Sequence, residues 1–315
     1  MSILLFGACA APRAVESHTV TSGVGMLRAN LGTGDEGQFA AIASAFAASN
    51  PGHDLEWWGR ISAVRAAERP RVLLVQAGGS RAWVVRAAGR DAAATAASEV
   101  AVGDVIVLAP GESVRFDAEL ALLAFTLPET PAAAVPRVIR PDYDSRITDT
   151  PGGCATDIGA YRRVLLTWLG KAGPYTFHGL NVHRVRIDDS FTHYHPKEGG
   201  FDEFYLVQAV RPGARIVTSE AVARIVHPES ITRDEVPGLL RSTDLAVGDL
   251  VYLPRGTAHR GLGGVLAQVI SVPGFVPGSE IGIDHHLRAI NERLGLSGDE
   301  ALPLHAAGAE RPIVR

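Results

Sequence analysis

Phe191–Gln208, with the sequence FTHYHPKEGGFDEFYLVQ, is the stretch that decides the fold. His193 and His195 alternate with Tyr194, so on a β-strand both imidazoles project to one face and the phenol ring to the other. A turn rich in proline and glycine follows, and Glu203 then opens a second run typical of a strand. The stretch therefore predicts two strands that place two imidazoles and one carboxylate close together.

A second stretch, Gly248–His259 (GDLVYLPRGTAH), adds a third imidazole after another strand and turn. Three imidazoles and one carboxylate can bind a divalent first-row metal ion and leave coordination positions open for a substrate. We therefore interpret four residues as a metal-binding set: His193, His195, Glu203 and His259. A β-barrel that keeps the pattern without binding metal is the alternative.

These residues resemble the two signature motifs of the cupin superfamily, which are small antiparallel jelly-roll barrels with a metal ion in the mouth. The second motif, Gly-x5-Pro-x-Gly-x2-His, is complete. Its fixed positions are Gly248, Pro254, Gly256 and His259. The resemblance implies a jelly-roll barrel and the same four metal ligands.

The first cupin motif departs from the family in its spacing. Seven residues separate His195 from Glu203, whereas the family usually has three or four. Glu198 is the other candidate carboxylate, but it lies in the Pro196–Gly200 turn. We favour Glu203 because the ligand glutamate is expected to begin the next strand.

The chain also contains an internal repeat. Two segments of the first half match the strand of Glu203 and the second motif. Arg71–Ala77 matches Glu203–Ala209, and Gly103–Gly111 matches Gly248–Gly256. The chain therefore resembles a bicupin, which has two such barrels in tandem.

The first barrel lacks the metal set. In the repeat, Arg71 takes the position of Glu203 and Val114 takes that of the last histidine, and no histidine occurs between His53 and His178. We expect a structural role in packing or dimerisation, with a ligand site of another kind as the alternative.

The predicted fold class is all-β, with two cupin-type jelly-roll barrels in tandem and a few short helices. The predicted units are an N-terminal arm and helix (1–58), a degenerate barrel (59–128), a linker (129–174), a metal-binding barrel (175–280) and a C-terminal helix and tail (281–315).

Composition agrees with this fold class and limits the classes of binding partner that we expect. Hydrophobic residues make up 46% of the 315-residue chain, and 34 Gly and 19 Pro suit a turn-rich β protein. A net charge of −4 gives no indication of a nucleic-acid or membrane partner. Cys9 and Cys154 form no disulfide framework, and the apolar run Met1–Cys9 is too short for a signal core, so we expect a cytoplasmic protein.

Four further residues are candidates for substrate contacts. Tyr205 shares the face of Glu203 by strand parity, and Gln268 lies on the strand that follows the second motif. Arg184 and Arg186 alternate on Asn181–Ile187 and would suit a carboxylate or phosphate if they face inward. The alternative places these arginines outward and His183 inward. Asp202 and Tyr205 are candidates for proton transfer.

Other segments give less specific predictions. Phe39–Ala48 and Ile283–Gly295 have helical periodicity, whereas Tyr161–Leu169 suits either a helix or a strand. Thr218–Thr243 is an insertion expected to form a surface loop or a lid. The adjacent pair His285 and His286 is a weaker candidate for a second metal site.

The resemblance implies chemistry that depends on the metal. With Fe(II), which we favour, the site would be that of a mononuclear non-haem dioxygenase acting on a small chelating substrate. With Zn, Mn or Ni it would be a Lewis acid for a sugar or sugar-acid isomerase or a lyase, and the long spacing before Glu203 is similar to that in cupin uronate isomerases. A non-enzymatic ligand-binding barrel is the third hypothesis. We expect a homodimer and a small, acidic substrate.

Overall fold

The computed structural model describes residues 25–34, 36–86, 93–153, 155–157 and 159–315. The run Met1–Cys9 and Cys154 lie outside these residues, as do residues 1–24 of the predicted arm. Among the helices in the described ranges, none is long and apolar enough to cross a membrane.

The described residues of the first half of the chain form eight strands and one helix. They are β1 (Leu27–Asn30), α1 (Glu36–Ser49), β2 (Asp54–Val64), β3 (Arg71–Ala77), β4 (Gly79–Arg86), β5 (Ala93–Ala101), β6 (Val105–Leu108), β7 (Glu112–Thr126) and β8 (Val138–Ile139). Helix α1 contains the predicted helix Phe39–Ala48, which is confirmed.

The described part of the second half contains the remaining strands and three short helices, with 3-10 turns between them. They are β9 (Arg162–Leu166), β10 (Asn181–Asp189), β11 (His193–Tyr194), β12 (Asp202–Ala209), β13 (Arg215–Ser219), α2 (Val222–Ile225), β14 (Arg241–Asp244), β15 (Asp249–Leu253), β16 (Ala258–Val272), β17 (Ile281–Gly282), α3 (Asp284–Leu294) and α4 (Ala306–Glu310). The segment Tyr161–Leu169, for which the sequence suited either a helix or a strand, contains β9.

These strands form two antiparallel sheets, the first built from β2 to β8 and the second from β9 to β17 together with β1. The first has seven strands in the order β5-β4-β7-β3-β6-β8, with β2 beside β7. The second has ten and runs β1-β15-β12-β16-β10-β9, with β11, β13, β14 and β17 joined to it. The all-β prediction of tandem cupin-type barrels is confirmed. Strand β1 crosses from the start of the chain to pair with β15 of the second sheet.

The internal repeat is preserved in the strand register. Glu203 pairs with Leu253 on one side and Ser271 on the other. Its counterpart in the first sheet pairs in the same way, because Arg71 lies opposite Leu108 and Thr126. An arginine therefore occupies the position in the first barrel that the metal-set glutamate occupies in the second.

Strands β3 and β6 of the first barrel and β12 and β15 of the second bury one face in the interior of their own barrel and the other face in a core shared by both sheets. On β12, Tyr205 and Val207 belong to the interior of the second barrel, whereas Phe204 and Leu206 pack in the shared core. Burial of both faces explains why this strand is a continuous apolar run rather than an alternating one.

Aromatic rings join the two sheets and α1. The ring of Phe46 on α1 lies edge-on to Phe204 at 5.2 Å and to Phe125 at 5.8 Å, measured between centroids. Phe125 belongs to the first sheet and Phe204 to the second, and all three side chains are fully buried. The helix thus packs where the two barrels meet.

The Thr218–Thr243 insertion packs against the end of the second barrel. Its Ile225 and Ile231 share an apolar cluster with Leu287 and Ile290 of α3. Helix α3 ends at Gly295, which adopts the left-handed conformation (φ 64°) typical of a helix C-cap. The insertion is therefore a packed part of the fold, and the predicted helix Ile283–Gly295 is confirmed.

Because Phe46 contacts both sheets, Phe46→Ala should lower the free energy of unfolding by about 3–5 kcal/mol, as expected for truncating a fully buried aromatic ring. Urea denaturation followed by circular dichroism would measure this. Val247→Ala is the control, since Val247 is exposed and its truncation should change stability by less than about 0.5 kcal/mol. Equal effects of the two substitutions would contradict the role assigned to Phe46.

Candidate metal centre

Three strands of the second barrel bring the predicted metal set together. His193 on β11 pairs directly with His259 on β16, and Glu203 is the second residue of β12. The candidate ligand atoms of all four residues, including His195, lie within 4.8 Å of one another, and all four side chains are buried. Within the described ranges this is the only group of three or more His, Cys, Asp or Glu side chains that could bind a metal ion.

The turn of the second motif holds the two motifs in register. Gly256 adopts φ 89°, a conformation that favours glycine. Its N–H donates to the carbonyl oxygen of His195 at 2.7 Å. The Pro254–Gly256 turn thus connects the strand that carries His259 to the segment that carries His195. Glu198 is exposed in the preceding turn, so Glu203 is the carboxylate of the set.

Backbone carbonyl groups orient all three imidazoles. In each ring Nδ1 faces a carbonyl oxygen, which can only accept, so Nδ1 carries the proton and the Nε2 lone pair is left for the centre. The pairs are His193 with Phe191 (3.1 Å), His195 with Ser279 (3.3 Å) and His259 with Thr257 (3.3 Å). The buried Nε2 atoms of His193 and His195 have no hydrogen-bond partner.

The charge states also suit a metal ion. Burial lowers the pKa of His193 and His195, which keeps these imidazoles neutral. Burial alone would raise the pKa of Glu203, but the adjacent imidazoles of His195 and His259 hold it well below its usual range. His259 Nε2 lies 3.1 Å from Glu203 Oε1. Neutral nitrogen donors and one carboxylate, with lone pairs converging, fit a divalent first-row metal ion.

Tyr205 lies beside this set, as predicted. Its ring is fully buried in the barrel interior, with its centroid 6.1 Å from that of His259. The tyrosine therefore forms part of the wall next to the metal set.

The two predicted arginines lie on the other face of β10. Arg184 donates to Asp142 at 2.6 Å and to the Tyr161 hydroxyl at 2.8 Å. Arg186 donates to the carbonyl oxygen of Gly264 at 2.9 Å. The alternative that places these arginines outward holds, because the residues that face the barrel interior on this strand are Val185 and Ile187. Their candidate role in substrate contacts is therefore corrected.

Gln268 also points away from the metal set. Its Nε2 donates to the carbonyl oxygen of Gly103 in the first barrel at 3.0 Å, and its Oε1 accepts from Gln208. Its neighbours Ala267 and Val269 take the inward positions on β16. The prediction that Gln268 contacts substrate or a ligand histidine is corrected: the side chain bridges the two barrels.

Asp202, the predicted proton-transfer carboxylate, is fully engaged on the face opposite Glu203. It accepts from Asn50 at 2.6 Å, from the Tyr252 hydroxyl at 2.8 Å, and from the backbone and guanidinium of Arg255 at 2.9 and 3.0 Å. This network fixes the start of β12, and we assign Asp202 to positioning rather than to proton transfer.

A second carboxylate near the metal set was not predicted. Glu280 Oε1 lies 3.4 Å from His193 Nε2, and the side chain is buried. Burial, reinforced by the charge of Glu203, raises the pKa of Glu280 to about 7. Glu280 follows the last strand of the motif region in a Gly-rich turn, and no periodicity or motif in the sequence marks it.

Two further polar residues reach the interior of the second barrel. His183 on β10 has a buried Nε2, and burial lowers its pKa to about 3. Arg162 on β9 lies opposite Val185, an interior residue. Inward placement of His183 was one of the two alternatives for that strand. Arg162 went unrecognised because the face of β9 cannot be assigned until the strand is paired.

No family model matches the chain, and no curated protein does. Solved structures with a similar fold include oxalate decarboxylases. One is 11% identical, with 79% of this chain and 77% of the other covered, at a TM-score of 0.46. The Bacillus subtilis enzyme, described with Mn(II) centres, is 12% identical over 84% and 85%, at 0.45. The Lactobacillus farciminis enzyme in a formate complex is 14% identical over 79% and 82%, at 0.40. Identities this low carry no activity over to this chain.

His195→Ala and His259→Ala should each remove most of the bound metal, because each deletes one of four converging donors. Elemental mass spectrometry of protein purified without added metal or chelator would measure the loss. Far-ultraviolet circular dichroism should show that the fold is largely retained. His227→Ala is the matched control, since this histidine lies on the surface insertion with 67% of its side chain exposed.

Substitutions of the two candidate carboxylates, Glu203 and Glu198, test which of them belongs to the metal set. Glu203→Gln should lower metal content, whereas Glu198→Gln should leave it unchanged. The reverse result would show that the turn carboxylate is the ligand.

Proposed function

We propose that the second barrel is the active site of a metal-dependent enzyme that acts on a small chelating organic substrate. The observation that carries this proposal is the convergence of three carbonyl-oriented imidazoles and one carboxylate in a buried site. A divalent ion bound there would supply a Lewis acid or, as Fe(II), a redox centre. The mononuclear Fe(II) oxygenase is our first candidate.

The residues around the set have separable roles in this proposal. His193, His195, Glu203 and His259 bind the ion. The apolar interior residues, among them Tyr205 and Val251, exclude water and strengthen electrostatic interactions within the site. The first barrel supports the site through the shared core.

Glu280 favours a second candidate function. A buried carboxylate next to the metal set can accept or donate a proton at a substrate carbon or oxygen. That arrangement suits a metal-dependent isomerase or lyase, which moves protons and needs no oxygen. In this function Glu280 is the acid–base group and the metal-binding set is unchanged.

Metal analysis of the purified protein, followed by turnover assays with and without oxygen, tests the two candidates. Iron near one equivalent per chain and turnover that consumes oxygen would support the oxygenase. Manganese, zinc or nickel and turnover under strictly anaerobic conditions would support the isomerase or lyase. A protein that binds no metal even after reconstitution would overturn both.

Glu280→Gln provides an independent test of the second candidate. The amide preserves size but cannot transfer the proton, so kcat should fall by about 100-fold or more while metal content stays unchanged. Glu229→Gln is the control, because Glu229 is exposed on the insertion. Unchanged kcat in Glu280→Gln would exclude Glu280 as the acid–base group.

A further inference from the structure

A glutamine occupies the same position on β3 of the first barrel and on β12 of the second, next to the end of each strand. Gln76 corresponds to Gln208, because Arg71–Ala77 matches Glu203–Ala209. Each glutamine lies at a register shift in its strand, and such a bulge redirects a side chain. The surroundings of the two amides can therefore be compared directly.

The amide of Gln208 has partners at both ends. Its Oε1 accepts from Arg184 Nε at 2.7 Å, and its Nε2 donates to Gln268 at 3.1 Å. The guanidinium of Arg184 also lies over the ring of Tyr161, 5.6 Å from the centroid, and forms an ion pair with Asp142 at 2.6 Å. A guanidinium that contacts an amide oxygen, an aromatic ring and a carboxylate thus completes this position in the second barrel.

The amide of Gln76 has a partner at one end only. Its Nε2 donates to the carbonyl oxygen of Val207 at 2.7 Å. Because a carbonyl oxygen can only accept, this bond fixes the orientation of the amide. Its Oε1 is buried and has no hydrogen-bond partner among the described residues. A buried acceptor without a donor is costly, so a bound molecule that brings a donor to this oxygen would be favoured.

An aromatic residue stands in the first barrel where the second has its guanidinium. Trp57 lies opposite Leu123 on β7, as Arg184 lies opposite Gln268 on β16. Leu123 and Gln268 correspond in turn, since they lie opposite matched residues of β3 and β12. Trp57 thus takes the position of Arg184, and the first barrel has no guanidinium of its own there.

Gln76 lines a cleft of about 710 Å³ between the two barrels and α1. Phe39 and Trp57 form part of its wall, and the exposed residue Glu36 lies at its edge. Arg60 also lines the cleft, but its guanidinium forms an ion pair of 2.6 Å with an acidic residue of β7. A volume of this size between two domains suits a small molecule. The cleft therefore combines an amide acceptor, aromatic walls and a carboxylate.

We propose that this cleft binds a small organic cation that carries a guanidinium group. The guanidinium donates to Gln76 Oε1, as Arg184 donates to Gln208, and packs on the ring of Trp57. The carboxylate of Glu36 offsets its charge. The cleft is separate from the metal set, so this inference goes beyond the proposed function and does not rest on it.

Calorimetric titration of the full-length protein with butylguanidinium tests the inference, with butylurea as the neutral counterpart of the same shape. Butylguanidinium should bind at least about tenfold more tightly than butylurea, since charge-assisted hydrogen bonds and the contact with the aromatic ring depend on its charge. In Gln76→Met, the affinity for butylguanidinium should fall by at least about tenfold, because the acceptor is lost.

Two substitutions at exposed positions test the cleft without altering a buried side chain. Ala77→Trp places a large ring in the cleft and should remove most of the binding. Glu36→Gln removes the carboxylate and should weaken binding by about two- to fivefold, as expected for an exposed ion pair. Ala63→Trp and Glu68→Gln are the matched controls, since both positions are exposed and lie outside the cleft lining. Each control should leave the affinity unchanged.

The outcomes decide the inference even where one variant does not fold. Equal affinity of the native protein for the two ligands, or no binding of butylguanidinium, would overturn it. Native-like binding in Ala77→Trp would overturn it whether or not Gln76→Met folds. An equal loss in Ala77→Trp and Ala63→Trp would also overturn it, because the effect would then be one of fold. The metal set takes no part in these measurements, so each of these results leaves the proposed function as it stands.

Discussion

Burial of both faces of β12 is the constraint on which the rest of the structure depends. One face carries Glu203 and Tyr205 into the barrel interior, and the other carries Phe204 into the core shared with the first barrel. A register slip of one residue would exchange these faces, placing a phenylalanine at the metal set and a carboxylate in the shared core. The shared core and the metal set therefore specify the same register, and each stabilises the geometry of the other.

This double burial also explains which predictions the sequence could support. The motifs place His193, His195 and His259 correctly because two short turns and a period of two determine their positions locally. Arg184 and Gln268 could not be assigned in the same way. Alternation shows that adjacent residues of a strand project to opposite faces of the sheet. In a tandem barrel part of the outer face meets the other barrel rather than solvent. Polar and apolar residues therefore occur on both faces, and the sequence does not show which face is the interior one. Gln268 satisfies a carbonyl group of the first barrel, a partner that is 165 positions away.

The positions of Arg162 and Glu280, which no sequence motif marks, depend on pairing between strands that are distant in the sequence. Arg162 faces inward only because β9 pairs with β10, and the chain between those strands gives no indication of that register. Glu280 reaches His193 because β17 pairs with β11 after the chain has left the barrel. Glu280 contacts His193, and Arg162 lies opposite an interior residue, because the fold brings distant strands together. Local patterns therefore identified the four residues of the candidate metal set, whereas topology identified the residues that surround them.

The first barrel shows what the same strand arrangement does without a metal. Arg71 takes the position of Glu203, and Val114 takes that of His259, so the donor set is replaced by a cation and an apolar side chain. Its contribution is mechanical: Gln76 donates to the carbonyl oxygen of Val207 at 2.7 Å, and Phe125 packs on Phe204. Both contacts act on β12, the strand that carries Glu203. The first barrel, which lacks the candidate donor set, thus directly supports the strand that carries Glu203 of the second barrel.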